Sequence, residues 1–435
     1  MPPSLADWLP EDHLAWFLID AVEEMDLSAF YADYRLDGWG RAAHHPQMMV
    51  TLLLYAYCHG VQSSRRIERA CHSDVAFRVI TANEQPDHTT VARFRRRHLE
   101  ALKGLFVQSL RLCAAAGLVR VGLVALDGTK IAAAASLDKN RSRAFIDEQV
   151  AEMLAAAEAI DQAEEAAAND DDDESAGMVR GRAARRERLR QAKAVLDTQE
   201  QAERAAYEAK MADRRAREAA HLAATGKRMN GRKPKPFTAH DDARANITDA
   251  DSRVMSTKRG FLQGYNAQAM ATEDQVVVAA EITDEAADVG QLHPMIAAAD
   301  ETLRAAGVTD PVETVVADAG YVSDENLTTD CQPELIIATK NRRRQHAQDT
   351  AAPRGRIPAG ATARQRMERK LSTKRAQRLY KKRSQMIEPV FGQIKHNRGL
   401  DRFVLRGRAG VELEWKLLCS THNLLKAFRA GLAVA

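Results

Sequence analysis

Val121-Gly122-Leu123-Val124-Ala125-Leu126 runs uncharged into Asp127-Gly128, and the reading of this stretch decides the fold. An apolar run stopped by a turn-forming pair predicts a short buried strand that delivers a carboxylate to its end. Further along, 264–271 and 275–282 read as a strand pair joined by the turn Thr272-Glu273-Asp274, the second rich in valine. A helix over about 289–306 leads to a strand at 313–317 that ends at Asp318-Ala319-Gly320, and another strand follows at 334–339. Strand, strand, strand, helix, strand is the order of an α/β unit with a mixed sheet flanked by helices. Two of its strands end in aspartate, and strand ends form the crevice where such sheets bind ligands.

Working outward, residues 1 to about 120 read as mostly helical: the apolar run 48–57 is broken by Gly60 and restarts after Ser63-Ser64, a natural capping pair. The loop Asn83-Glu84-Gln85-Pro86-Asp87 precedes a basic helix that starts near Thr89-Thr90 and carries Arg93, Arg95, Arg96 and Arg97. It reads either as a DNA-binding head or as the solvated basic face of a small bundle. From 140 to 225 the composition turns to Ala, Glu, Arg and Gln around an acidic break, Asp170 to Glu174. That predicts an inserted antiparallel coiled hairpin with Val150, Leu154, Leu189 and Leu196 on its seam, with a solvated spacer as the plainer reading. After the connector 341–362, one long basic helix is expected from about 364 to 397, with Glu388 in its later half. The division expected is a helical N-terminal DNA-binding domain, 1–118, and a catalytic domain, 119–435, interrupted by 140–225.

A length of 435 residues allows two or three compact units, and 45% hydrophobic with 28% charged residues leaves no apolar run that would span a bilayer. The start, Met1-Pro2-Pro3-Ser4, lacks the basic and apolar regions of a secretory signal, so a cytoplasmic location is expected. Cys58, Cys71, Cys113, Cys331 and Cys419 are too scattered to predict a disulfide framework or a zinc site. The net charge of +3 hides segregation: from Lys340 to Arg408 there are 21 Lys and Arg against 4 Asp and Glu, an excess of 17 positive charges. Such a stretch calls for a polyanion. Phosphate-loop, His-Glu-x-x-His and Gly-x-Ser-x-Gly patterns are absent, which removes NTP hydrolysis, zinc proteolysis and serine hydrolysis.

Carboxylates from two strand ends and one helix would make a hard-oxygen cluster suited to Mg²⁺ or Mn²⁺, and two such ions serve phosphodiester chemistry. Taken singly, Asp127 and Asp318 also read as turn residues and Glu388 as a surface glutamate. Asp138, Asp241, Asp242, Asp249, Asp251, Asp284 and Asp288 compete on spacing alone.

At these positions the chain resembles the bacterial insertion-sequence transposases with an Asp-Asp-Glu catalytic domain. The likeness lies in Leu126-Asp127-Gly128-Thr129-Lys130, Gly264-Tyr265-Asn266-Ala267-Gln268, Ala317-Asp318-Ala319-Gly320-Tyr321 and the run from Glu388-Pro389-Val390-Phe391-Gly392 through Lys395 to Gly399-Leu400. The stretch from His45 to His98, with Pro86-Asp87-His88-Thr89-Thr90, is similar to the family's helical N-terminal domain. The resemblance implies a ribonuclease-H-like fold and Asp127, Asp318 and Glu388 as ligands of Mg²⁺ or Mn²⁺, two ions in all. It also implies DNA as substrate, at the element's terminal inverted repeats and at a target site, with water attacking first and a freed 3′-hydroxyl later.

A related subgroup carries Tyr, Arg, Glu and Lys on the glutamate helix, with two, three and six residues between them. Here Tyr380 and Arg383, and Glu388 and Lys395, keep their intervals, but four residues separate Arg383 from Glu388. At about 100° per residue, Lys395 is expected within roughly 20° of Glu388 and Arg383 roughly 140° away, which sets Lys395 near the DNA backbone; Tyr380 and Arg383 are also expected among the DNA contacts, with the off-register spacing leaving their role open. Lys130, Arg398, Arg402, Arg406 and Arg408 are the remaining expected DNA contacts, by phosphate attraction. Trp415 and Leu417-Leu418 are expected in the core, and the hairpin suggests a homodimer. A transposase-derived DNA-binding protein without catalysis, and a structure-selective metal-dependent nuclease, are the competing readings.

Overall fold

The computed structural model describes residues 4–32, 34, 43–166, 176–229, 234–238, 242–340 and 355–431. The chain divides into two compact units, 1–133 with 255–260 and 264–435, and 134–254 with 261–263.

The first unit opens with α1 (Leu14–Glu23), α2 (Ser28–Tyr31), α3 (Pro46–Cys58), α4 (Ser64–Ser73), α5 (Val75–Ile80), α6 (His88–Arg97) and α7 (Leu99–Ala115), followed by β1 (Leu123–Ala132). The second unit holds β2 (Asn140–Ser142), α8 (Arg143–Ala166), α9 (Ala176–Thr225) and β3 (Arg244–Asn246). Next come β4 (Arg253–Thr257), β5 (Gly260–Thr272), β6 (Val277–Thr283), α10 (Leu292–Ala305), β7 (Thr314–Ala317), α11 (Asp324–Thr328) and β8 (Glu334–Ile337). The chain closes with α12 (Ala363–Leu371), α13 (Lys374–Gly392) and α14 (Arg408–Arg429).

The described strands of the main sheet run β4-β5-β1-β7-β8, with β6 also on β5. β1 is antiparallel to β5 and parallel to β7, and β7 is parallel to β8, so the sheet is mixed as the element order predicts. β1 is longer than expected. Its parallel partner β7 accompanies only Leu123 to Leu126, but antiparallel β5 follows it from Val124 to Ala132. Asp127-Gly128 is therefore not a turn; the glycine marks a close approach inside a strand.

The single helix expected at 364–397 is also corrected. It breaks at Ser372-Thr373, where the Thr373 side chain accepts from the Ala376 N–H and caps α13. A capping box of Thr362 and Gln365 starts α12.

Helices α1, α3 and α7 pack on α14, whose Trp415, Leu417 and Leu418 are buried as expected. Glu414 on α14 is fully buried and accepts from Gln62 Nε2 (2.7 Å) and from the backbone N–H groups of Val404 and Leu405 (3.0 and 2.9 Å). Burial is the largest influence on its pKa, pushed up to about 7, against the pull of those two N–H groups.

In the second unit β2 and β3 pair antiparallel, and α8 packs along α9 around Ile146, Leu189, Ala192, Leu196 and Ala245. Val150 packs against that cluster as the predicted seam requires, whereas the Leu154 side chain and the break at 170–174 lie outside the described residues. Asp241 and Arg342, Arg343, Arg344 and Arg354 of the basic connector lie outside them as well. No described helix is long and apolar enough to cross a membrane.

Candidate active site

Leu126 of β1 stands opposite Ala317 of β7 in parallel register, so the next residues, Asp127 and Asp318, lie side by side where β7 stops and β1 runs on. Asp127 is mostly buried, and its Oδ1 accepts from the Gly128 N–H at 2.9 Å. Its pKa is pushed up to about 6, first by burial and then by the charge of Asp318, against the opposing pull of Arg383. Asp318 caps the short turn Ala319–Tyr321, accepting from the Gly320 N–H at 2.8 Å.

Helix α13 supplies the third side of the site. Arg383 Nη1 donates to Asp127 Oδ2 at 2.8 Å, and Nη2 lies 3.9 Å from Glu388 Oε1. Half-buried Tyr380 hydrogen-bonds the same guanidinium, and burial is the main cause of its raised pKa. Arg383 and Tyr380, whose role the off-register spacing left open, thus face the site. Their angular offset from Glu388 is real, but they form the inner face of α13, and the long guanidinium reaches across to a glutamate whose side chain is 60% exposed.

Pro389, directly after Glu388, has no N–H for the Gln385 carbonyl, which accepts from Gln275 Nε2 instead at 2.9 Å. The helix then widens into a π turn over Gln393–Asn397. Lys395 on that turn donates to Thr129 Oγ1 (2.9 Å) and the Lys130 carbonyl (2.8 Å), so it is tied to β1 two residues past Asp127. Burial lowers its pKa.

Beneath the aspartates, β5 contributes two buried amides that sequence reasoning did not single out. Asn266 Nδ2 and Gln268 Nε2 both donate to Asp288 Oδ1, at 2.7 and 2.8 Å, and the Tyr321 hydroxyl donates to Gln268 Oε1 at 2.5 Å. The signal was present: two polar residues at positions i and i+2, interleaved with Tyr265, Ala267 and Ala269, share one face of the strand. Among the described residues no three acidic, histidine or cysteine side chains stand close enough to hold an ion as placed. The donor set of Asp127, Asp318 and Glu388 nevertheless fits a hard divalent cation, because Arg383 already lies between two of the three as a positive counter-charge.

The expected DNA contacts divide. Arg93, Arg96 and Arg97 of α6 are exposed, as are Arg402, Arg406 and Arg408, and Lys130 is half-buried on β1. Arg95 and Arg398 are corrections. Arg95 is 2% exposed and donates to the Gln62 carbonyl (2.8 Å), Ser64 Oγ (2.5 Å) and Tyr57 Oη (3.3 Å), fastening α6 to α3 and α4. Arg398 is 8% exposed and donates to Thr421 Oγ1 (2.7 Å) and the Leu418 carbonyl (3.2 Å) of α14, and burial lowers its pKa to about 10. A charge run read from sequence does not reveal which of its members serve the interior.

Two family models match the chain: one described as Transposase domain (DUF772) over residues 3–97, and one described as Transposase DDE domain over residues 337–428. The second spans Arg383, Glu388 and Lys395, whereas Asp127 and Asp318 fall between the two matches. No curated protein and no solved structure matches the chain.

Proposed function

We propose, from the premise that the chain is an insertion-sequence transposase of the DDE type, that it cleaves DNA at the ends of its own element and joins those ends to target DNA. The observation that carries the proposal is the meeting of Asp127 and Asp318 on neighbouring strands, with Arg383 bridging Asp127 to Glu388. In this reading the sheet and its helices form a ribonuclease-H-like domain, and Asp127, Asp318 and Glu388 hold Mg²⁺ or Mn²⁺. Such ions, when bound, activate the attacking oxygen and stabilise the leaving one.

The chain's own residues do the rest. Exposed Arg93, Arg96, Arg402, Arg406 and Arg408 attract phosphates and hold the duplex without reading its sequence. Lys395 braces α13 against Thr129, which fixes the distance of Glu388 from β1. Once the aspartates are neutralised from another source, Arg383 is free to turn toward a phosphate. Water attacks the phosphodiester at the element end and displaces its 3′-oxygen, and the freed 3′-hydroxyl then attacks a target phosphodiester, whose own 3′-oxygen leaves; a homodimer would process both ends together.

The test is Mg²⁺-dependent nicking of a plasmid that carries the element's ends. Asp127→Asn and Asp318→Asn are expected to abolish nicking while gel-shift affinity for the ends stays within about twofold, since neither residue is a phosphate contact. Unimpaired cutting by either variant overturns the assignment. Cleavage without joining of a pre-cut 3′-end to plasmid would mark a nuclease instead.

A further inference from the structure

Asp288 lies between β6 and α10, 30 residues before Asp318 in the chain, yet folds into the same site. Its position is fixed from two sides. A Cβ built on Gly128 would stand 2.6 Å from Asp288 Oδ1, and one built on Gly320 would stand 3.2 Å from Asp288 Oδ2. The carboxylate therefore occupies the space left by the side chains that the residues following Asp127 and Ala319 do not have. The Gly320 point is also only 2.9 Å from Asp318 Oδ1, so the Asp288 and Asp318 oxygens are no more than about 6 Å apart. Two ions about 3.5 to 4 Å apart span such a gap with side-chain motion alone.

The two oxygens of Asp288 differ. Oδ1 takes both amide donors, from Asn266 and Gln268, and this fixes the plane of the carboxylate. Oδ2, on the Gly320 side, accepts no hydrogen bond among the described residues. A second oxygen is also without a partner: Asn266 is fully buried, its Oδ1 has no donor, and it points at the Gly128 position, 2.9 Å from where a Cβ would be. A buried carbonyl oxygen left without a donor beside three carboxylates is costly unless positive charge arrives, and the half-buried Asp288 Oδ2 is free to share that charge.

We propose that Asp288 is a fourth acidic ligand of the divalent-cation site, binding through Oδ2 beside Asp318, with Asn266 and Gln268 holding it in place. The proposal rests on the metal-dependent reading above. It explains why the strand holding Asp127 has glycine next to it: any side chain at 128 would displace the carboxylate.

Mn²⁺ binding to the full chain, measured by titration calorimetry without DNA, separates this inference from the reading beneath it. Asp288→Asn keeps an oxygen for the two amides and removes the charge, and is expected to weaken Mn²⁺ binding at least tenfold or to lose one ion per chain. Exposed Asp310→Asn is expected to bind like the parent. Melting in EDTA checks that each variant is folded, and Asp288→Glu, which restores the charge, is expected to recover part of the affinity if Asp288→Asn is unstable. Mn²⁺ affinity and stoichiometry unchanged in Asp288→Asn, with Asp318→Asn impaired, overturn the role of Asp288 alone. Binding unchanged in Asp318→Asn as well overturns the metal assignment itself.

Discussion

Replacing Asp127 with asparagine is expected to make the metal-free protein more stable, not less. The folded chain raises this carboxyl from 3.8 to about 6, so between those values the native state holds a proton that the unfolded chain has released. Stability then falls as pH rises through that window, and the full penalty applies above pH 6. A shift of about two units at about 1.4 kcal/mol each amounts to roughly 3 kcal/mol. The neutral asparagine mimics the protonated acid and escapes it. In EDTA at pH 8, Asp127→Asn should therefore melt a few degrees above the parent, and at pH 4 the two should coincide. Saturating Mn²⁺ should reverse the order at pH 8, because only the parent gains from binding. Differential scanning calorimetry over pH 4 to 8 reads all three conditions. An Asp127→Asn variant that melts below the parent at pH 8, or a difference of the same size at both pH values, would refute the claim that burial and Asp318 strain this carboxylate.

Arg383→Gln removes a competitor for the carboxylates, so Mn²⁺ should bind roughly tenfold tighter, the equivalent of about 1.4 kcal/mol, while nicking falls; unchanged or weaker Mn²⁺ binding in calorimetry contradicts this. Glu414→Ala leaves the Val404 and Leu405 N–H groups and the Gln62 amide without their buried acceptor, and should cost about 3 kcal/mol in urea unfolding at pH 6. A loss below about 1 kcal/mol would show that water takes over the three bonds.

Much of the sheet was legible because β1, β6, β7 and β8 are apolar runs with clear stops, two of them leading into aspartate; which strands are neighbours was not legible, and β4 went unread. What sequence could not give was the partner that lengthens β1. Asp127-Gly128 has turn chemistry, and only the length of β5 shows that the strand continues through it. Helix phase left Tyr380 and Arg383 undecided for a related reason. The offset between Arg383 and Glu388 follows from helix geometry, but it ranks Cα directions, whereas a guanidinium on a long stem reaches well to either side of its own. Arg95 and Arg398 were unreadable in principle, since a buried arginine and a solvated one look alike until the carbonyls and hydroxyls around them are known. Asp288 was one acid among several competitors, and what distinguishes it is the amide pair on β5, about twenty residues earlier, that no spacing rule connects to it.

On the function proposed above, the position of Arg383 also bears on how a DNA-cutting site would be kept safe without its metal. Asp127, Asp288, Asp318 and Glu388 are four negative charges near one crevice, and without a cation they would repel both one another and a phosphate backbone. One guanidinium between Asp127 and Glu388 offsets part of this, but a cation attached to a helix cannot do so and hold DNA at once. Asp127, Asp288, Asp318 and Glu388 would hold divalent ions that take over this neutralisation, leaving Arg383 free to grip a phosphate. On that reading metal and DNA binding would be linked, each tightening the other by the same factor. An arginine on the inner face of α13 that reaches both Asp127 and Glu388 is placed for such an exchange.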